Sequence, residues 1–501
     1  MRFLHKEFLK QHIIKSIFLY IFNLDFLFLL FLVGIVVCFK YTTFSLPLHI
    51  DEMLYVGQAI SVWKNNFNPF VWTPGAYHPP FFYEILALGY GIFGYSIFIS
   101  HVINACLSIF CLYAVFKFLQ YFVKNTVISI IITVSVFINP LYFTQTGLVQ
   151  SDILLTGLML FCIYFYFKKN NIYCILFGIL CVFTKESGAL FYSVLLIHFF
   201  ISNALKHGLI KNIKKYIFFS IPVLLFIFWI FLNKILLGFY FDPVISNYFD
   251  MKNPILSNNF ISIQKPVSSE SIFEILKDIF WNFGNYNILF VFLFLLLLFL
   301  IKKRNSLSSM KKNEFSFIAF LFIVFLFFYS STFFLIRYVL LLYIIIYIII
   351  GFFFQNLPKI ASLSIFVIWI FSINQIFFYS HSSIEKSGEI NLSYIHIVQT
   401  NILAIKYIEE NYSTKRILTA PTDFRKYIDP AYGYVSKSLL AFDNTSKYYL
   451  EGKFDLIVKQ NYLAFNFLEE LIANHGNRLH VIKRFESGPA VVEIYEYPRG
   501  K

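Results

Sequence analysis

Acidic side chains are scarce over most of this chain. Residues 1–379 hold 13 Asp and Glu against 26 Lys and Arg, whereas residues 380–501 hold 14 against 15. The net charge of +14 therefore belongs almost entirely to the first part. No basic patch with interleaved aromatics accompanies it, which argues against a nucleic-acid partner. The six cysteines, Cys38, Cys106, Cys111, Cys162, Cys174 and Cys181, all fall in apolar stretches and none has zinc-site spacing. They read as packing residues, with no disulfide framework. There is no repeat of 20–50 residues and no low-complexity linker beyond a polar stretch at 380–389. The N-terminus, with Arg2, Lys6, Lys10 and Lys15, reads as a basic lead-in to a retained span rather than a cleaved signal.

What fills the chain is apolar bulk. Hydrophobic residues make up 58%, charged ones 14%, and 67 residues are Phe. Runs such as 287–301 and 339–354 approach or reach bilayer-spanning length. The composition implies a polytopic helical membrane protein. Eleven spans are expected, at about 24–41, 100–122, 126–144, 150–167, 171–185, 188–203, 216–237, 285–301, 314–332, 335–354 and 358–379. The cations cluster in alternate short connections: Lys117 and Lys124; Lys168 and Lys169; Lys206, Lys211, Lys214 and Lys215; Lys302, Lys303, Arg304, Lys311 and Lys312. With eleven spans these loops and the N-terminus are cytoplasmic, and the C-terminal segment lies on the other side.

That sorting puts ten of the thirteen acids of the membrane part on the outer face. The outer segment 42–99 is too long for a plain connection. It holds two expected interfacial helices, 53–63 and 81–93, separated by the rigid His78-Pro79-Pro80 break. From residue 380 the pattern changes. Alternation at 416–420, 454–458, 479–484 and 490–495 predicts strands, and 401–411 and 463–475 predict helices. The fold expectation is an all-α polytopic membrane domain over 1–379 followed by a small extracytoplasmic α/β domain over 380–501. The latter carries no Gly-rich phosphate loop and no nucleophile motif, which leaves it a covering or supporting role.

Chemistry is expected on the outer face. Asp51 and Glu52 sit side by side just past the first span. Adjacent carboxylates at a bilayer surface repel each other, so they point to catalysis or to a cation site, or else to a solvated helix start. Next come Tyr55, then His78-Pro79-Pro80-Phe81-Phe82-Tyr83, Gln150-Ser151-Asp152, Phe183-Thr184-Lys185-Glu186 and Arg337-Tyr338. In this order and spacing, over roughly residues 45–355, the chain resembles the GT-C-fold glycosyltransferases. The branch is that of the dolichyl-phosphate-mannose protein mannosyltransferases and bacterial lipid A aminoarabinose transferases. The family's Arg-Tyr-Leu-x-Pro element reads Arg337-Tyr338-Val339-Leu340-Leu341 here, so its proline and the local helix break it imposes are in question.

The resemblance implies sugar transfer from a polyprenyl-phosphate carrier to a lipid, glycan or protein acceptor in a plasma or inner membrane. It assigns Asp51 as base, with Glu52 helping to position it and Asp152 orienting Lys185 or holding the acceptor. It assigns Lys185, Arg337 and His78 to the donor phosphate, whose growing charge needs fixed cations. A divalent cation at the acid pair is an open alternative. Each residue also has a plainer reading. Lys185 could snorkel, Arg337 could pair with a nearby acid or lipid phosphate, Asp152 could cap a span, and His78 could be a loop histidine. Glu186 reads as structural and Asp25 as a helix-start acid. Two other function classes stay open, a lipid or solute transporter and an inactive accessory subunit. Transporters place ionisable groups near the midplane between repeated halves, whereas these acids sit at the rim and the halves do not match.

Overall fold

The computed structural model describes residues 24–71, 73, 78–123, 125–207, 213–238, 309–330, 336–356, 358–377, 392–420, 423–443, 452–462, 466–475 and 479–497. Helix α1 (Leu24–Lys40) is followed by a 3-10 turn (Tyr41–Thr43) and by α2 (Ile50–Lys64), α3 (Phe81–Phe93) and α4 (Ile97–Phe122). Asp25 does more than start α1: its carboxylate pairs with Lys117 Nζ at 2.6 Å, near the far end of α4. Helix α2 starts earlier than its apolar pattern suggests and takes the acid pair into its first turn. Asp and Glu are favoured there by the helix dipole. Pro80 is the residue capping α3, which ends at Gly94 with φ +77°, a conformation that favours glycine.

The expected span at 126–144 is two helices, α5 (Thr126–Phe137) and α6 (Pro140–Gln145). Pro140 cannot donate to a continuing helix. Asn139 instead caps α6, its Oδ1 accepting the N–H groups of Leu141 and Tyr142 at 3.1 and 3.4 Å. Then come α7 (Ser151–Phe167), α8 (Asn171–Thr184), α9 (Glu186–His207), α10 (Ile213–Leu237) and α11 (Ser309–Ser330). A 3-10 turn (Ile336–Val339) leads into α12 (Leu340–Asn356), followed by α13 (Pro358–Phe377). Ten of the eleven expected spans coincide with these helices, the third in two pieces, and the eighth, 285–301, lies outside the described residues. Among the described residues four stretches are long and apolar enough to cross a membrane: Leu24–Thr43, Ile97–Phe122, Glu186–Ala204 and Ile213–Leu237.

Close packing of α4 on α7 organises the bundle. A Cβ at Gly157 of α7 would lie 3.0 Å from the Cα of Cys111 on α4, so glycine lets the two backbones approach. Helix α12 is buried from Leu340 through Ile348, which explains why its sequence is apolar on every side.

The C-terminal unit is a five-stranded mixed sheet in the order β2-β1-β3-β5-β4. Its strands are β1 (Ile417–Leu418), β2 (Ala441–Phe442), β3 (Leu456–Gln460), β4 (His480–Ser487) and β5 (Ala490–Glu496). Strands β2, β1 and β3 run parallel, and β5 lies antiparallel between β3 and β4, with Val458 opposite Ile494. Period-two burial sorts the two faces. Val458, Val492 and Ile494 join the main core with Ile397 and Ile405 of α14 (Ser393–Tyr412), while Leu418 and Ile457 pack with Leu468 of α16 (Asn466–His475). A short helix α15 (Arg425–Ile428) lies between β1 and β2. Strand β2 was not legible in the sequence, because a two-residue strand has no period to read. The expected boundary at 379/380 lies outside the described residues.

Candidate active site

Four of the six residues singled out in the sequence converge on one ion-pair chain. Asp51 stands in the first turn of α2, whose preceding residue, His49, is extended at φ −73°, ψ 167°. Asp152 stands in the first turn of α7 after an extended Gln150. Lys185 is itself the extended residue, φ −162°, ψ 154°, between α8 and α9. Arg337 comes from the 3-10 turn before α12. That turn runs directly into α12, whose second residue, Leu341, stands where the family has its proline.

Lys185 Nζ donates to Asp152 Oδ1 at 2.7 Å, Arg337 Nε lies 3.4 Å from Asp152 Oδ2, and Arg337 Nη2 donates to Asp51 Oδ2 at 2.6 Å. The Lys185, Asp152 and Arg337 side chains are at most 5% exposed, while Asp51 is 30% exposed. The chain is therefore neutral, buried at one end and open at Asp51. Its cations share the face of Tyr338, with Lys185 Nζ 4.1 Å and Arg337 Cζ 5.6 Å from the ring centre, close enough for cation–π attraction. Lys185 does not snorkel: it turns inward onto Asp152. Arg337 does pair with acids, and with two of them.

Glu52 points elsewhere. Buried to 1%, it accepts the His49 N–H at 2.6 Å with Oε2 and the Val149 N–H at 2.5 Å with Oε1. It ties the start of α2 to the approach of α7, and so supports Asp51 through the backbone. His78 lies beside the chain rather than in it. Its Nδ1 is 2.8 Å from Glu186 Oε2, and its ring stacks on Tyr55 at 5.6 Å. Tyr55 is buried, which pushes its hydroxyl well above the usual phenol range, an effect Asp152 reinforces. The roles of Tyr338 under both cations and of Glu186 beside His78 were missed. An aromatic next to Arg and an acid next to Lys carry no sequence signal beyond adjacency.

The acid pair does not fit the alternative cation site. Asp51 gives one oxygen, Oδ2, to Arg337, and both Glu52 oxygens are taken by backbone N–H groups, so Glu52 offers no oxygen to share a cation with Asp51. Among the described residues no group of three or more His, Cys, Asp and Glu is placed to hold a metal. The arrangement can instead offer one accessible carboxylate next to two fixed cations, which suits proton removal beside a phosphate.

No family model matches the sequence, and no curated protein matches it. Solved structures do. ArnT from Cupriavidus metallidurans, bound to undecaprenyl phosphate, superposes with a TM-score of 0.55 at 10% identity, covering 93% of this chain and 97% of that one. Its apo structure gives the same values. The fold of this chain is that of ArnT, the GT-C fold that the order of its motifs implied.

Proposed function

We propose that this protein is a membrane glycosyltransferase that moves a sugar from a polyprenyl-phosphate carrier to a lipid, glycan or protein acceptor. The observation that carries the reading is the chain Lys185–Asp152–Arg337–Asp51, open at Asp51, in a fold shared with a protein bound to undecaprenyl phosphate. The acceptor hydroxyl oxygen attacks the anomeric carbon, and its proton passes to the Asp51 carboxylate. The bond from that carbon to the phosphate oxygen breaks, and the electron pair stays on the carrier phosphate beside Lys185 and Arg337. Attack from the face opposite the phosphate inverts the anomeric centre. Asp152 holds the two cations in register, and His78 with Glu186 lines the donor side.

The protein sits in the plasma or inner membrane with its N-terminus cytoplasmic, and the site and C-terminal unit face outward. The test is consumption of a polyprenyl-phosphate sugar by purified protein in lipid vesicles. Asp51→Asn should lower turnover by about two orders of magnitude, as for loss of a general base. An Asn variant that turns over like the wild type would remove Asp51 from the mechanism. Carrier moved across the vesicle without sugar release would favour a transporter.

A further inference from the structure

The turn that leads into α2 is held by the C-terminal unit. Leu48 is fully buried, and residues 432–434 take both of its backbone polar groups. Its N–H donates to the Tyr432 carbonyl at 3.2 Å, and its carbonyl accepts the Tyr434 hydroxyl at 3.1 Å. A buried peptide group must be paired, and here the partners come from nearly four hundred residues away. Three residues beyond Leu48 stands Asp51, and the intervening His49 N–H is held by Glu52. The other Glu52 oxygen holds Val149, three residues before Asp152. One node thus references the starts of both acid-bearing helices.

The bracing turn is itself built rather than loose. Asp429 Oδ1 accepts the Ala431 N–H at 2.9 Å, and the Tyr95 hydroxyl donates to the Ala431 carbonyl. Gly433 has φ +86°, and a Cβ there would lie 2.4 Å from the Ile97 side chain, so only glycine seats the turn on α4. A Cβ at Gly57 would lie 2.8 Å from the Tyr432 hydroxyl, which shows how closely that ring meets α2. Glu409 of α14 fixes the far end, accepting the Ser436 and Lys437 N–H groups at 2.8 and 3.0 Å. The Tyr434 ring lies 5.5 Å from the Lys426 ammonium, which pairs with buried Asp423 at 2.7 Å.

We infer that Tyr434 is a positioning residue: through Leu48, the C-terminal unit holds the first turn of α2 so that Asp51 stays on Arg337. The importance of that placement for turnover rests on the transferase reading. The brace itself does not, and the test separates them. Tyr434→Phe removes one hydroxyl and keeps the ring. Arg416→Gln is the control, loosening the same unit at its 3.3 Å pair with Asp455 without touching Leu48.

In detergent-purified full-length protein, Tyr434→Phe should speed amide hydrogen exchange over residues 48–56 by about two- to tenfold, as for one lost hydrogen bond. Turnover should fall about tenfold with donor KM within about twofold, because a small displacement of a reacting group costs rate more than binding. Arg416→Gln should leave both readouts at wild-type values. Unchanged exchange in Tyr434→Phe overturns the inference. So does an equal loss of turnover in Arg416→Gln, which would make general loosening the cause. If the wild type consumes no donor, the transferase reading fails and exchange over 48–56 alone decides the brace.

Discussion

Lys185 and Arg337 show what burial does to a cation. Each is taken out of water, and each is returned a carboxylate, through Asp152 and Asp51. Removing one partner leaves an uncompensated charge, a loss of about 3–5 kcal/mol for a buried pair. A phosphate entering beside Asp51 would find these cations already oriented, with little reorganisation left to do during bond breaking. Lys185→Gln and Arg337→Gln should therefore weaken donor affinity and slow transfer together, each by about 10²-fold. Lys185→Arg should restore only part, because a planar fork does not replace a compact ammonium 4.1 Å over the Tyr338 ring. A donor titration checks this, and unchanged affinity and rate in both Gln variants would sink the phosphate clamp.

At the level of elements, the α8–α9 hairpin decides where Lys185 points. The hairpin closes without a long loop, on one extended residue. Gly188 makes this feasible: a Cβ there would lie 2.1 Å from the Cys181 carbonyl oxygen, a backbone atom that cannot swing aside. Gly188→Ala should push the two helices apart and cost about 1–3 kcal/mol, as overpacking does. The contrast is Gly34→Ala on α1, where a Cβ meets nothing within 4 Å and helix propensity improves by about 1 kcal/mol. Thermal unfolding in one detergent compares them. Equal melting temperatures for the two variants would show that the hairpin contact does not limit stability.

For the whole molecule the question is which side the site faces. The Tyr434–Leu48 and Tyr432–Leu48 bonds seat the C-terminal unit beside the start of α2, so it lies at the same end of the bundle as Asp51. Lys117 and Asp25 pair near the beginning of α1, its other end. Locating the C-terminus therefore locates the site. The proposed topology has that end outside, because the basic loops would be cytoplasmic for an odd number of spans, a parity that depends on the expected span at 285–301. A membrane-impermeant thiol probe should label a single cysteine added after Lys501 in intact cells of a variant stripped of its own cysteines. Labelling only after lysis would put both the C-terminal unit and the site on the cytoplasmic side.

Sequence alone determined the class of this protein and much of its plan. Apolar runs dictate helices wherever water is absent, because backbone groups have no other partner there. That is why α3 and nearly every expected span were legible, and why the acids stood out against so few others. The sheet was legible where strands were long enough to alternate, as in β4 and β5, and not in β2. Tertiary structure decided who pairs with whom. Nothing in the spacing of Asp51, Asp152, Lys185 and Arg337 says that Arg337 bridges both acids, or that Glu52, adjacent to Asp51, turns away onto backbone N–H groups. On a helix, neighbours in sequence point about 100° apart, so adjacency in the chain separates side chains that folding alone can reunite. The Tyr434 contact with Leu48 is the extreme case: its partners are a hydroxyl and a carbonyl of no pattern, joined only because two distant segments pack and a buried carbonyl must be paired.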